Sequence, residues 1–234
     1  MPAKPLPFFG QYYLGTLLRP RPTFDALMRD PRRVQFGAWA MVINAVLYTL
    51  VYVFLAIGGG APSSFKPFLD VPADVYYQYN RWFLFPSMFG CWILAAGVAQ
   101  LLGKFFGGKG TFEDNLSALG FATGIASLAS LLHDLPETFI GAIGLLDLRW
   151  YDAQLNSPTI WRLVLCIFYG LYGVLFVVLY PKAIGAAQRL TLPTRVARMG
   201  DADVKSARPN AGPAILLGLL SFVVYQGVFV IFNR

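Results

Sequence analysis

The chain has 234 residues, of which 56% are hydrophobic and 13% charged, and its mean hydropathy is +0.55. So little polar material cannot cover a soluble domain of this size, which excludes a water-soluble enzyme or binding module as the whole chain. The net charge of +7 fits a topology signal with attraction to anionic lipid, and not a nucleic-acid footprint.

The chain opens with an aromatic and aliphatic cluster, Phe8, Phe9, Tyr12, Tyr13, Leu14, Leu17 and Leu18, followed by Arg19-Pro20-Arg21-Pro22. Thr23 is placed to cap a short helix through Arg29, closed by Asp30-Pro31. Residues 1–35 are therefore expected to form a cytoplasmic, interfacial amphipathic segment, with its rings in the interface and its arginines toward lipid phosphate. A partly ordered tail is the alternative.

Five stretches, Phe36–Ile57, Trp82–Leu102, Leu116–Leu132, Ile160–Tyr180 and Gly212–Phe232, contain no Asp, Glu or Lys, and Arg162 is their only Arg. A hydrocarbon core of about 30 Å is crossed by roughly 17 to 25 apolar residues of helix, and each window meets that length. Helix is the form left to them, because unpaired backbone amides in lipid are too costly. The third span starts earlier than its apolar run, at Thr111-Phe-Glu-Asp114, which sets a hydroxyl at the N-cap and carboxylates in the first turn. The expectation is an all-α polytopic membrane protein with one domain over 36–234 and spans near 36–57, 82–102, 112–132, 160–180 and 212–232.

Lys and Arg are retained on the cytoplasmic side of a membrane, whereas Asp and Glu count for little. Fourteen of the nineteen fall on alternate segments: Lys4, Arg19, Arg21, Arg29, Arg32 and Arg33 before span one, Lys104 and Lys109 after span two, and Lys182, Arg189, Arg195, Arg198, Lys205 and Arg208 after span four. Lys66, Arg81, Arg149, Arg162 and Arg234 remain for the other side. This predicts a cytoplasmic N-terminus and an external C-terminus. The first long apolar run begins only at Phe36, so span one is expected to act as its own targeting signal.

Between spans two and three, Gly103-Lys-Phe-Phe-Gly-Gly-Lys-Gly110 nearly spells a phosphate loop. Gly110 stands where a Ser or Thr would bind magnesium, and a membrane helix precedes the loop where the motif needs a strand, so a tight glycine turn is expected. In span three, Ala118, Ala122, Ala126 and Ser130 repeat every four residues, and Gly120 and Gly124 form a GxxxG. Two sides of this helix admit close neighbours, which makes it the expected centre of the bundle, with dimerisation through the same face as the alternative.

The sole histidine lies in His133-Asp134-Leu135-Pro136-Glu137 at the outer end of span three. In a continuous helix His133 and Glu137 share a face at i,i+4, suited to a metal or a proton relay, with a further ligand needed from Asp147, Asp152 or another span. The competing reading makes Asp134 the cap of a new interfacial helix through Leu148, with Pro136 in its first turn. Candidate functional residues are thus His133, Asp134 and Glu137.

Beyond span four the basic loop is interrupted by Pro193, Gly200, Pro209 and Pro213, leaving at most one short surface helix within Leu190–Ser206. Inside the spans the polar groups are Asn44, Gln100 and Gln226 with Ser87, Thr123, Ser127, Ser130 and Ser221, expected to form interhelical hydrogen bonds. Cys91 and Cys166 lie in spans without metal or redox spacing and are expected to be buried thiols. Mid-membrane ionisable groups, HExxH, GxSxG and paired catalytic carboxylates are missing, so no catalytic residue, metal or cofactor is expected.

The chain resembles the Yip1 family, and within it the short bacterial members. The likeness rests on the five-span pattern, the Leu17-Leu-Arg-Pro20 entry leading to Pro31, and above all Gly107-Gly-Lys-Gly-Thr-Phe-Glu-Asp-Asn-Leu-Ser-Ala-Leu-Gly-Phe121. Phe36-Gly37-Ala38-Trp39 is loosely similar to the D-L-Y-G-P-x-W motif of eukaryotic members, without its Asp-Leu and Pro. The long N-terminal region through which those members engage small GTPases has no counterpart here. The resemblance implies a five-span helical fold, a cytoplasmic N-terminus, a bacterial inner membrane and a role in organising membranes or membrane proteins without catalysis. Expected partners are membrane lipids and other membrane proteins or further copies of the chain, with no nucleic acid. A transport or channel subunit for a small solute or lipid, using His133, Asp134 and Glu137 at an outer vestibule, is the second expectation, and a metal-dependent membrane enzyme the third.

Overall fold

The computed structural model describes residues 8–62, 71–190 and 211–233. Among them the chain forms helices and turns without a strand, in the order α1 (Phe9–Leu18), α2 (Pro20–Leu27), α3 (Arg33–Ile57), α4 (Tyr76–Phe105), α5 (Phe112–Ala142), α6 (Leu148–Leu155), α7 (Ile160–Ala187) and α8 (Ala211–Asn233). Helices α3, α4, α5, α7 and α8 are each long and apolar enough to cross a membrane. The short surface helix expected within Leu190–Ser206 lies, beyond Leu190, outside the described residues.

Helix α5 is the centre. Of its most apolar 18-residue window 83% is buried, against 17% for α7, and Ala118, Ala122 and Ala126 are all fully buried. It packs chiefly on α3 and α7, while α8 sits against α4 and α7. Small residues make this possible: a Cβ on Gly37 of α3 would stand 2.5 Å from the Ser117 Cα, and one on Gly120 would strike the Gly37 carbonyl oxygen. Two backbones therefore touch where each helix offers glycine. Gly124, one turn on, faces the Ala40 carbonyl of α3 and the Tyr13 ring. The GxxxG face is thus occupied within the chain.

Several spans are longer than their apolar runs. Helix α4 begins at Tyr76 because the aromatic, lightly charged Tyr76–Arg81 stretch continues it outward, and α7 runs through Pro181 to Ala187. Helix α5 passes through Pro136 to Ala142. This corrects the expectation that Asp134 caps a separate helix running to Leu148. The Thr138 hydroxyl donates to the Asp134 carbonyl at 2.7 Å in this last stretch of the helix. The following short helix is α6, and its cap is Asp147, which accepts from the amides of Arg149 and Trp150.

The N-terminal segment is helical, but several of its rings turn into the protein. Phe9, Tyr12 and Tyr13 stack around Phe121 of α5 at centroid distances of 5.5 to 6.3 Å, and the Tyr13 hydroxyl donates to the Gly124 carbonyl at 3.2 Å. Phe24 and Leu27 of α2 are fully buried. Thr23 is not a cap: Pro20 opens α2, as suits a residue without an amide proton, and the Thr23 hydroxyl donates back to the Arg19 carbonyl at 2.8 Å. Helix α2 also ends at Leu27, short of Arg29. Asp30 then organises the turn into α3. Its buried carboxylate accepts from the Arg32 amide at 2.8 Å, the Arg32 guanidinium at 3.0 Å and the Tyr12 hydroxyl at 3.1 Å.

The glycine stretch between α4 and α5 seats the end of α7. A Cβ on Gly110 would strike the Ala187 carbonyl oxygen, and one on Gly103 would stand 2.6 Å from the Gln188 side chain. The Lys109 amide donates to the Gln188 carbonyl at 3.0 Å, and Gln100 binds Asn115 and Gln188 through one carbonyl oxygen at 2.8 and 3.0 Å. These glycines provide close approach between helices, which explains a phosphate-loop spelling without its chemistry. Cys91 is buried as expected, whereas Cys166 is exposed on α7.

Candidate functional site

At the end of the bundle away from Asp30, the last turns of α5 bring His133, Asp134 and Glu137 together. The i,i+4 spacing puts His133 and Glu137 on one helix face. His133 is buried, the two acids are half-buried, and the three offer ligand atoms within 4.8 Å of one another. His133 Nδ1 lies 2.8 Å from Asp134 Oδ1 and 3.3 Å from Glu137 Oε2. On the other side of the ring, Nε2 lies 3.1 Å from the Tyr151 hydroxyl of α6.

Two carboxyl groups thus face Nδ1, and the Tyr151 hydroxyl faces Nε2. Burial first, and then the carboxylates of Glu137 and Asp134, raise the pKa of the Tyr151 hydroxyl above its ordinary value, so it remains a donor. Asp134 is held from a third element, since Tyr169 of α7 donates to its Oδ2 at 2.9 Å. The Phe168 ring closes over His133 at 5.7 Å, and Trp161 packs edge-on against Tyr151. The cluster thereby fastens α5 to α6 and α7.

Three such donors have the types that hold a divalent cation, or a proton shared between histidine and carboxylate. Asp147, expected as a possible further ligand beside His133 and Glu137, is committed to the α6 cap, and neither it nor Asp152 joins the group.

Deeper in the bundle, several of the expected hydroxyls and amides pair between helices, and three of them do so with tyrosines. Tyr48 bonds Ser130 at 2.5 Å, Tyr180 bonds Thr123 at 2.8 Å, and the Gln226 amide donates to Tyr172 at 2.5 Å. Counting these tyrosines as apolar bulk hides them, although a buried phenol needs a partner as much as a serine does. Asn44 and Ser221 are buried without a side-chain hydrogen bond.

A family model described as the Yip1 domain matches residues 14–186, a stretch from within α1 to the last turn of α7. No curated protein and no solved structure matches the chain. With well over half of its length covered, and with five membrane-length helices around a small-residue centre, the chain belongs to the Yip1-domain family of membrane proteins.

Proposed function

We propose that this chain is a non-enzymatic membrane scaffold or assembly factor in a bacterial cytoplasmic membrane, with its N-terminus inside and its C-terminus outside. Yip1-domain proteins are not known catalysts. The observation that carries the reading is the use made of the one His/acid grouping among the described residues: His133 bonds Tyr151 and Asp134 bonds Tyr169, joining helices. What the chain turns outward is apolar and small. On α7 the exposed Leu163, Ile167, Leu171 and Val174 surround Gly170, where an added Cβ would meet nothing, a surface that another membrane helix can approach closely.

Photo-crosslinking from position 170 in native membranes tests this. Adducts to a second membrane protein, or to another copy, are expected from position 170 and not from position 122 inside the bundle. Lipid adducts alone from position 170, with no reproducible partner on mild-detergent purification, sink the scaffold reading. Reporter fusions at the two chain ends are expected to mark opposite compartments.

A transport or channel subunit for a small solute or lipid is the second reading. Asn44 favours it, since a buried amide with both polar atoms unpaired is costly unless it serves a guest. Reconstituted vesicles decide between the two: no flux above protein-free vesicles removes the second reading.

A further inference from the structure

Where α2 leaves α1 and meets α7, an open groove of about 430 Å³ is lined by Arg19, Pro20, Arg21, Pro22 and Lys182. Cations from two distant parts of the sequence line it, Arg19 and Arg21 from one and Lys182 from the other, and no acid does. Of the other cations at this end of the bundle, Arg32 pairs with Asp30 at 3.0 Å and Arg33 with Asp114 at 2.6 Å. Arg19, Arg21 and Lys182 have no ion pair among the described residues, even though Asp25 stands one turn beyond Arg21.

We propose that this groove binds the phosphate of an anionic phospholipid of the adjoining leaflet. Arginine forks match phosphate oxygens in pairs, and the lysine adds a compact charge from the opposite wall. The prolines at positions 20 and 22 fix the backbone between the two arginines and offer no amide proton, so recognition is by charge. The opening turn of α2 adds its positive dipole end. Depth agrees with a headgroup: Lys182 lies five residues before the end of α7, roughly 7.5 Å along the helix axis. Immediately before the groove, Leu14, Leu17 and Leu18 are 58%, 46% and 67% exposed. They give the acyl chains of the same molecule an apolar flank. This goes beyond the scaffold reading, since it concerns what the cytoplasmic half of the chain holds and not which protein it joins.

The test uses the full chain in nanodiscs of phosphatidylcholine with a minor share of phosphatidylglycerol, followed by release into mild detergent and native mass spectrometry of retained lipid. The triple variant R19Q/R21Q/K182Q is expected to retain about tenfold less phosphatidylglycerol, the loss of roughly one charge-assisted hydrogen bond. The variant R29Q/K104Q/K109Q, which removes equal charge outside the groove, is expected to stay within about twofold of the native chain. Equal losses in both variants, or none in the first, overturn the proposal by showing only diffuse attraction to lipid. Displacement of the lipid by inorganic phosphate overturns the lipid assignment in favour of a soluble phosphate ligand, whereas retention supports it. If the triple variant fails to fold, K182Q alone carries the test, with a loss of about threefold expected and no loss counting against the site.

Discussion

Arg33 Nε lies 2.6 Å from Asp114 Oδ1, and the other oxygen of that carboxylate accepts from the Thr111 amide at 3.1 Å. One side chain therefore closes the capping box that starts α5 and fastens that start to the first turn of α3. The same two helices touch backbone to backbone at Gly37 and Gly120, so the ion pair fixes the register in which the glycines meet. Asp114 is 7% exposed but Arg33 is 28% exposed, which moderates the pair's contribution. Asp114→Asn is expected to cost about 2 kcal/mol, below the 3 to 5 kcal/mol typical of breaking a fully buried pair. A thermal or denaturant titration in detergent, run as a double-mutant cycle with Arg33→Gln, reads the coupling directly. Additive effects of the two substitutions would show that the pair contributes nothing.

The glycine contact itself makes a sharper prediction. A methyl group at residue 120 has the Gly37 backbone in its way, and backbone cannot swing aside as a flexible side chain can. Gly120→Ala is expected to destabilise by about 2 to 3 kcal/mol. Gly90→Ala and Gly97→Ala on α4, where an added Cβ meets nothing within 4 Å, are expected to be neutral or slightly stabilising through helix propensity. Monodispersity on size exclusion after mild heating ranks all three. An unaffected Gly120→Ala chain would mean that α3 and α5 do not cross this closely.

Hydropathy and small-residue spacing are enough to find five spans and to put α5 at the centre, because burial in lipid and close helix approach both leave a compositional trace. The capping box at Thr111 and Asp114 is equally legible, being local. What the linear pattern hides is where helices stop. Pro136 and Pro181 each sit inside a helix instead of ending it. The rings of Phe9, Tyr12 and Tyr13 look interfacial by composition, and only the gap beside Phe121 draws them inward. Of the His133 cluster, the sequence shows His133 and Glu137 one turn apart, but Tyr151 and Tyr169 become its partners through tertiary contacts that carry no spacing rule.

The Asp30 turn predicts a dependence on pH. Hydrogen bonds from the Arg32 guanidinium, opposed by burial and helped by the Arg32 amide and Tyr12, hold its carboxyl below the usual value of 3.8. Burial first, then Asp30, pushes the Tyr12 hydroxyl up to about 12, so Tyr12 stays a donor through neutral pH. A carboxylate with a depressed folded-state pKa contributes stability that is fully present above its unfolded pKa and is lost as pH falls through the folded one. Stability is therefore expected to be level in this respect above about pH 5 and to fall below about pH 4. Asp30→Asn should lower stability at neutral pH and flatten that acid limb. An acid limb identical to that of the native chain would assign it to other carboxylates.

The His133 cluster separates the two functional readings, because a clamp and a transport site respond differently to the same substitutions. If His133 serves to fasten helices, His133→Ala leaves the Tyr151 hydroxyl and two carboxylates without their common partner and costs about 1 to 3 kcal/mol. Tyr169→Phe keeps the ring and removes one donor to Asp134, at about 1 kcal/mol. The two are expected to couple, since both act through the Asp134 carboxylate, which His133 and Tyr169 share. Replacing His133, Asp134 and Glu137 together by Ala should then loosen α6 and the N-terminal half of α7, seen as faster hydrogen exchange at Tyr151 and Tyr169. A transport site predicts the opposite pattern: stability and exchange barely altered, with a flux into reconstituted vesicles that the triple variant abolishes. Measuring both quantities on the same preparation tells the clamp from the vestibule.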